Sequence, residues 1–140
     1  MKRVILSVLI VVGLVAIYAF IPQSSAEASH GKETPVKLSL DRTCYSPTDT
    51  LVLTITNNGN ETITVGYPFE LYREENGKWV EVKVDLMFIQ SVVQLEPGKS
   101  WTQKVNLSKL KLSPGHYRIA KRASTQDGTF TLSAEFCVAS

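Results

Sequence analysis

From Val36 onward, apolar and polar side chains alternate with a period of two, and clusters of Gly, Pro, Asn and Asp interrupt the alternation at roughly ten-residue intervals. Leu38 and Leu40 alternate with Ser39 and Asp41, and Leu51, Leu53 and Ile55 with Val52, Thr54 and Thr56. A period of two puts every second side chain on one face, as a half-buried strand requires. Tyr45-Ser46-Pro47-Thr48-Asp49 predicts a turn between these strands. Asn57-Asn58-Gly59-Asn60 predicts a reversal, because Asn and Gly tolerate positive φ, and Thr62 to Val65 returns as a strand. Phe69 to Arg73 and Lys78 to Val84 flank a hairpin turn at Glu74-Glu75-Asn76-Gly77. Met87 to Leu95 is expected as an apolar strand ending at Glu96-Pro97-Gly98-Lys99.

The alternation is cleanest towards the C-terminus. Trp101, Gln103, Val105 and Leu107 share one parity, with Thr102, Lys104 and Asn106 on the other. Ser113-Pro114-Gly115 precedes a strand carrying Tyr117 and Ile119. The last strand sets Phe130, Leu132, Ala134, Phe136 and Val138 against Thr129, Thr131, Ser133, Glu135 and Cys137. The pattern predicts about eight or nine short strands and, at Ser108 to Leu112, at most one helical turn: an all-β sandwich.

The N-terminal part follows a different rule. Of the 18 residues from Val4 to Ile21, all but Ser7 and Gly13 are apolar, and Lys2 and Arg3 stand directly before them. A bilayer core of about 30 Å takes roughly 20 such residues in a helix, so the run has the low limit of spanning length. The basic start, Pro22, and the small residues Ser24, Ser25, Ala26 and Ala28 also fit a secretory signal. Residues 1–21 are thus expected to be a hydrophobic helix, either a retained transmembrane anchor or a cleaved signal. In both cases the cations stay in the cytoplasm and the remainder is exported, single-pass at the cell membrane or secreted. Residues 22–35 lack apolar periodicity and are expected to form a flexible tether, leaving 36–140 as the folded domain.

Charge narrows the functional classes. The 140 residues carry 15 Lys and Arg against 13 Asp and Glu, and without Lys2 and Arg3 the remainder is formally neutral. That balance argues against a nucleic-acid partner, and the apolar content argues against disorder. Cys44 and Cys137 fall near the first and last strands; in an exported sandwich such thiols are expected to pair, and the parity of Cys137 puts the bond outside the main core or requires a bulge. Cys137, His116, Met87 and His30 are the residue types of a copper site, but no His or Met follows Cys137, so no metal or cofactor is expected. No nucleophile elbow, zinc-protease motif or phosphate-cradling loop is present, and no catalytic residue is assigned. Glu74 and Glu75 are expected in a solvated turn, and Arg118, Lys121 and Arg122 on a solvent face. Asn60-Glu61-Thr62 and Asn106-Leu107-Ser108 are candidate N-glycosylation sequons.

The succession Tyr45-Ser46-Pro47-x-Asp49, Asn57-Asn58-Gly59, Tyr67-Pro68-x-Glu70-Leu71, Asn76-Gly77-Lys78-Trp79, Leu95-Glu96-Pro97-Gly98-Lys99 and Pro114-Gly115-His116-Tyr117-Arg118-Ile119 resembles the immunoglobulin-like domains of bacterial and archaeal envelope and secreted proteins. The resemblance implies an immunoglobulin-like sandwich of seven to nine strands, outside the cytoplasm, with no catalytic residues. Tyr117, at the start of a late strand, has the position of a tyrosine corner, whose hydroxyl returns to upstream backbone. The expected function is a non-catalytic module contacting another envelope protein or a surface polymer, through the Tyr67-Pro68-Phe69 segment or the Phe88 to Val93 stretch. The stretch from Asn76 through Leu95-Glu96-Pro97-Gly98 to Trp101 is also similar to a small β-sandwich family of intracellular proteinase inhibitors, which implies inhibition as the alternative function.

Overall fold

In the computed structural model, residues 35–140 are described; the hydrophobic run and the tether up to Thr34 lie outside them, and with them the expected anchor or signal. Among the described residues, no helix is long and apolar enough to cross a membrane. The strands are β1 (Val36–Leu40), β2 (Cys44–Tyr45), β3 (Thr50–Asn57), β4 (Ile63–Gly66), β5 (Glu70–Glu75), β6 (Lys78–Val82), β7 (Val92–Leu95), β8 (Ser100–Asn106), β9 (Gly115–Thr125) and β10 (Gly128–Val138), with one 3-10 turn at Leu107–Lys109.

The fold is all-β, in two sheets. The smaller has the order β1-β3-β8, all antiparallel. The larger runs β2-β10-β9-β4-β7, with the β5–β6 hairpin attached to β9. Their inner faces meet in one core, to which β3 contributes Leu51, Leu53 and Ile55 and the larger sheet Val65, Leu71, Ile119 and Phe136. Each of the three β3 side chains is 0% exposed, so the period of two has become a buried row facing the other sheet. Burying one such side chain contributes roughly 1.5–3 kcal/mol, and cutting Leu53 to Ala removes about 2–5 kcal/mol because the neighbours cannot close the gap.

Three departures from the expected strands have physical causes. There are ten strands, because Cys44 and the first residue of the expected turn, Tyr45, run parallel to β10, Cys44 opposite Cys137 and Tyr45 opposite Val138. The expected strand from Met87 begins only at Val92: Phe88 turns back onto Phe69, with ring centroids 5.0 Å apart, and Met87 and Ile89 face solvent. The strand after Pro114 does not stop near Ile119 but continues to Thr125, paired with β10 along its whole length.

One buried polar residue ties the crossover between the sheets. Asn57 ends β3 with no exposed surface. Its Nδ2 donates to the carbonyls of Glu61 (2.8 Å) and Leu95 (2.9 Å), and its Oδ1 accepts from Gly59 N (3.0 Å). All of its side-chain hydrogen-bonding groups are engaged, which is what permits an amide in an apolar interior.

Candidate functional site

β9 changes partner along one edge. Its first half pairs with β5, from Arg73 opposite Tyr117 to Glu70 opposite Ala120, and its second half with β4, at Val65 opposite Ala123 and Thr64 opposite Ser124. Between the two ladders Lys121 and Arg122 have no strand partner on that side, and the chain crosses from β4 to β5 through Tyr67-Pro68-Phe69. The larger sheet is split there.

The inner side of the split is closed by Lys121. Because β9 continues past Ile119, its alternation directs Tyr117, Ile119, Lys121 and Ala123 inward, so Lys121 is 1% exposed and not on the solvent face expected for it. Its Nζ donates to the carbonyls of Gly66 and Tyr67 and to Gln103 Oε1 (2.8 Å), and lies 5.2 Å from the centre of the Trp101 ring. Gln103 Nε2 donates to the same Tyr67 carbonyl (2.9 Å), which connects β8 of the smaller sheet to the crossover. A buried ammonium with three acceptors and an aromatic face is compensated, although burial still pushes its pKa down to about 8.

The outer side of the split is a groove. At one end Gly66, Pro68, Phe69 and Ala120 bound a space of about 450 Å³. A second space of about 260 Å³, flanked by Tyr72, Arg118, Thr131 and Ser133, shares Glu70, Ala120 and Arg122 with it. The floor is low because small residues form it: a Cβ on Gly66 would stand 3.3 Å from Pro68 Cδ, and Ala120 offers only a methyl. Arg122 Nε is 3.3 Å from Glu70 Oε1, and the Tyr72 hydroxyl donates to Glu70 Oε2 (2.7 Å), a bond that raises the Tyr72 pKa. Arg118 lies over the Trp79 ring at 4.2 Å; its nearest carboxylate oxygen, on Glu135, is 3.7 Å away, and its Nε–H has no acceptor. Arg118 and Arg122 thus project outward, one held mainly by an aromatic face.

The remaining residues singled out in the sequence lie elsewhere. Cys44 and Cys137 are disulfide-bonded, with Cα atoms 4.4 Å apart at paired register positions; Cys44 is exposed and Cys137 half-buried, so the bond is on the outer side of the sheet. The Tyr117 hydroxyl donates to the Ser113 carbonyl (2.6 Å), four residues upstream, and accepts from Arg73 Nη1 (2.7 Å). Arg73, not anticipated from sequence, also donates to the Pro114 carbonyl (2.9 Å), and a Cβ on Gly115 would come within 3.0 Å of its guanidinium. Asn60 is exposed in the turn after β3, whereas Asn106 Oδ1 accepts from Ser108 N (3.1 Å) and Ser108 Oγ (2.6 Å), capping the 3-10 turn. His116 sits 2.9 Å from Glu135 and 3.7 Å from Glu74 on the outer face, Glu74 and Glu75 being exposed at the hairpin. Phe69 and Phe88 pack on one another, while Met87, Ile89 and Val92 remain exposed. His30 lies outside the described residues. Among the described residues no cluster of three or more His, Cys, Asp and Glu side chains could hold a metal ion.

Near the N-terminal end of the domain, Tyr45 donates to Asp41 Oδ1 (2.6 Å), which also accepts from Val52 N (3.0 Å). The Tyr45 bond holds the Asp41 carboxyl below its ordinary range, and burial raises the Tyr45 hydroxyl to about 12. This cluster fixes the chain where β1 leads into β2.

Two packed sheets, a cross-strand disulfide at the ends of the domain and a late tyrosine whose hydroxyl returns to upstream backbone define an immunoglobulin-like class of protein. The bacterial Ig-like domain family matches residues 32–137, and the chain belongs to it. Among solved structures, the chain is similar to the putative ApaA protein of Bordetella pertussis, at 18% identity and a TM-score of 0.45, covering 74% of this chain and 89% of that one. The archaellum periplasmic stator protein FlaG of Sulfolobus acidocaldarius gives 23% identity and a TM-score of 0.40, over 72% and 99% of the two chains. The sporulation control protein Spo0M of Bacillus subtilis gives 13% and 0.43, over 74% and 47%. None of the curated proteins matches the chain.

Proposed function

We propose that the protein is a non-catalytic binding module that works outside the cytoplasm, membrane-anchored or secreted through residues 1–21, and that it engages a protein or surface polymer at the groove over the sheet split. The observation that carries this reading is the groove itself. It is preformed where β9 changes partner, it has small residues in its floor, and it is closed from below by Lys121. Concave sites with a few fixed polar groups are where ligands bind, and rigid strands hold such groups better than loops do. Export is supported by the hydrophobic run behind Lys2 and Arg3 and by the bonded Cys44–Cys137 pair, which suits an oxidising compartment.

The test is affinity capture from solubilised envelopes with the wild-type chain and with Ala120→Leu, which raises the floor without changing charge. A partner retained by the first and lost with the second is the expected result. Equal recovery by both, or no reproducible partner, would defeat the reading.

A further inference from the structure

We infer that the ligand of this groove is an uncharged polyhydroxylated chain, a stretch of neutral polysaccharide of the surrounding envelope. The inference rests on the binding reading above and adds the chemical class of what is bound. Its basis is the way donors and acceptors are distributed along the floor and walls.

Both arginines lining the groove stand near a carboxylate: Arg122 is 3.3 Å from Glu70, and Arg118 is 3.7 Å from Glu135. A polyanion approaching the arginines would meet Glu70 and Glu135, and a polycation approaching the carboxylates would meet Arg118 and Arg122. Neither gains a field that attracts it along its length. A sugar hydroxyl both donates and accepts, so a polyol can use both members of each pair. The separations leave that capacity open, since neither pair is at the short, bidentate distance at which arginine and carboxylate saturate one another. Arg118 in particular is held by the Trp79 ring, lines the groove, and has its Nε–H buried and without an acceptor.

The rest of the surface has the same character. Thr131 and Ser133 on β10 add two hydroxyls in a row along one face of the strand. Tyr72 and Pro68 add apolar surface on the opposite bank, where the C–H face of a pyranose can lie, and Ala120 between them leaves room for a ring to sit low. Arg118 and Arg122 are four residues apart on one strand face, about 13 Å, long enough to follow a short run of linked rings.

The experiment is affinity electrophoresis of the full chain, solubilised in mild detergent. The gels contain deproteinised envelope polysaccharide from the producing cells, the same material after periodate cleavage of its vicinal diols and borohydride reduction, or heparin. Retardation by the native polysaccharide and its loss after periodate are expected. Arg122→Ser should weaken binding about tenfold, the value of one charged hydrogen bond, and Ala120→Leu should abolish it. Arg122 has a side chain 73% exposed, so its replacement leaves the core untouched if Ala120→Leu were to disturb folding. Retardation that survives periodate, that is equal in Arg122→Ser, or that occurs with heparin alone overturns the inference, as does absence of retardation in every gel. If a protein partner is nevertheless captured in a manner that depends on Ala120, the ligand class is wrong and the binding reading stands; if neither is found, both fall.

Discussion

Replacing Cys44 and Cys137 together by Ser tests how much of the domain's stability comes from a single covalent tie. The two residues are separated by 93 positions, so the bond closes almost the whole domain into one loop. On the chain-entropy model, a loop of that length removes about 16 cal/mol/K from the unfolded chain, or about 4.7 kcal/mol at 25 °C. The native side loses little: β2 is still held by Cys137 N donating to the Thr43 carbonyl and Ala139 N to the Tyr45 carbonyl, both at 2.8 Å, and by the Tyr45 ring against Phe136. With an unfolding entropy of about 2.1 cal/mol/K per residue over the described domain, the loss corresponds to a drop in Tm of roughly 20 °C. Thermal unfolding followed by circular dichroism, for wild type with and without reductant and for the double variant, measures it. The reduced wild type and the double variant should unfold at the same temperature. A drop under about 5 °C, in protein whose mass rises by two hydrogen atoms on reduction, would refute the entropic account and place the stabilising effect in the folded state instead.

Lys121 supplies a pH signature. Its pKa is about 8 folded against the ordinary 10.5 when unfolded, so between those values the unfolded chain binds more protons and stability rises with pH. Relative to Lys121→Met, urea stability should gain about 2 kcal/mol between pH 7 and pH 9.5; a flat difference would show that the carbonyls and Trp101 hold the ammonium at its ordinary pKa. Tyr117→Phe removes the donor to Ser113 and the acceptor for Arg73 and should cost about 1–2 kcal/mol by chemical denaturation, whereas no loss would mean the corner is ornamental. Asn57→Ala strands the Leu95 carbonyl and frees the turn at Gly59, for an expected loss of about 2–3 kcal/mol and faster amide exchange at Gly59. Titration against a panel of serine proteinases should leave their rates unchanged; stoichiometric inhibition would restore the inhibitor-like alternative.

The two inner faces were legible where alternation was long and unbroken. Leu51, Leu53 and Ile55 on β3, and Leu132, Phe136 and Val138 on β10, are buried on the parity that the sequence assigns them. Gln103 shared its parity with apolar residues, and that position foreshadowed an amide facing inward. Lys121 lies inside, against the solvent face expected for it, because β9 runs on to Thr125; followed through Tyr117, Ile119, Lys121 and Ala123, the period of two turns the lysine inward. Met87 to Ser91 misled for the opposite reason, since apolar composition without a partner strand leaves an irregular loop. The split in the larger sheet could not be read locally at all. It depends on where β4 and β5 hand over along β9, a register between residues 44 to 60 positions apart that no short window of sequence contains.

The closed loop between Cys44 and Cys137 also sets how the domain responds to force. A chain drawn out from both ends can release only the residues before Cys44 and after Cys137, about a dozen of those described, or roughly 40 Å of contour. The length between the cysteines, on the order of 300 Å, stays locked however hard the strands are sheared. Tension applied at Thr131 reaches Cys44 along six residues of β10 and then across two sulfur atoms, and of the smaller sheet only β1 lies between Cys44 and the start of the domain. The domain is thereby a short, inextensible link, able to transmit tension without paying out chain.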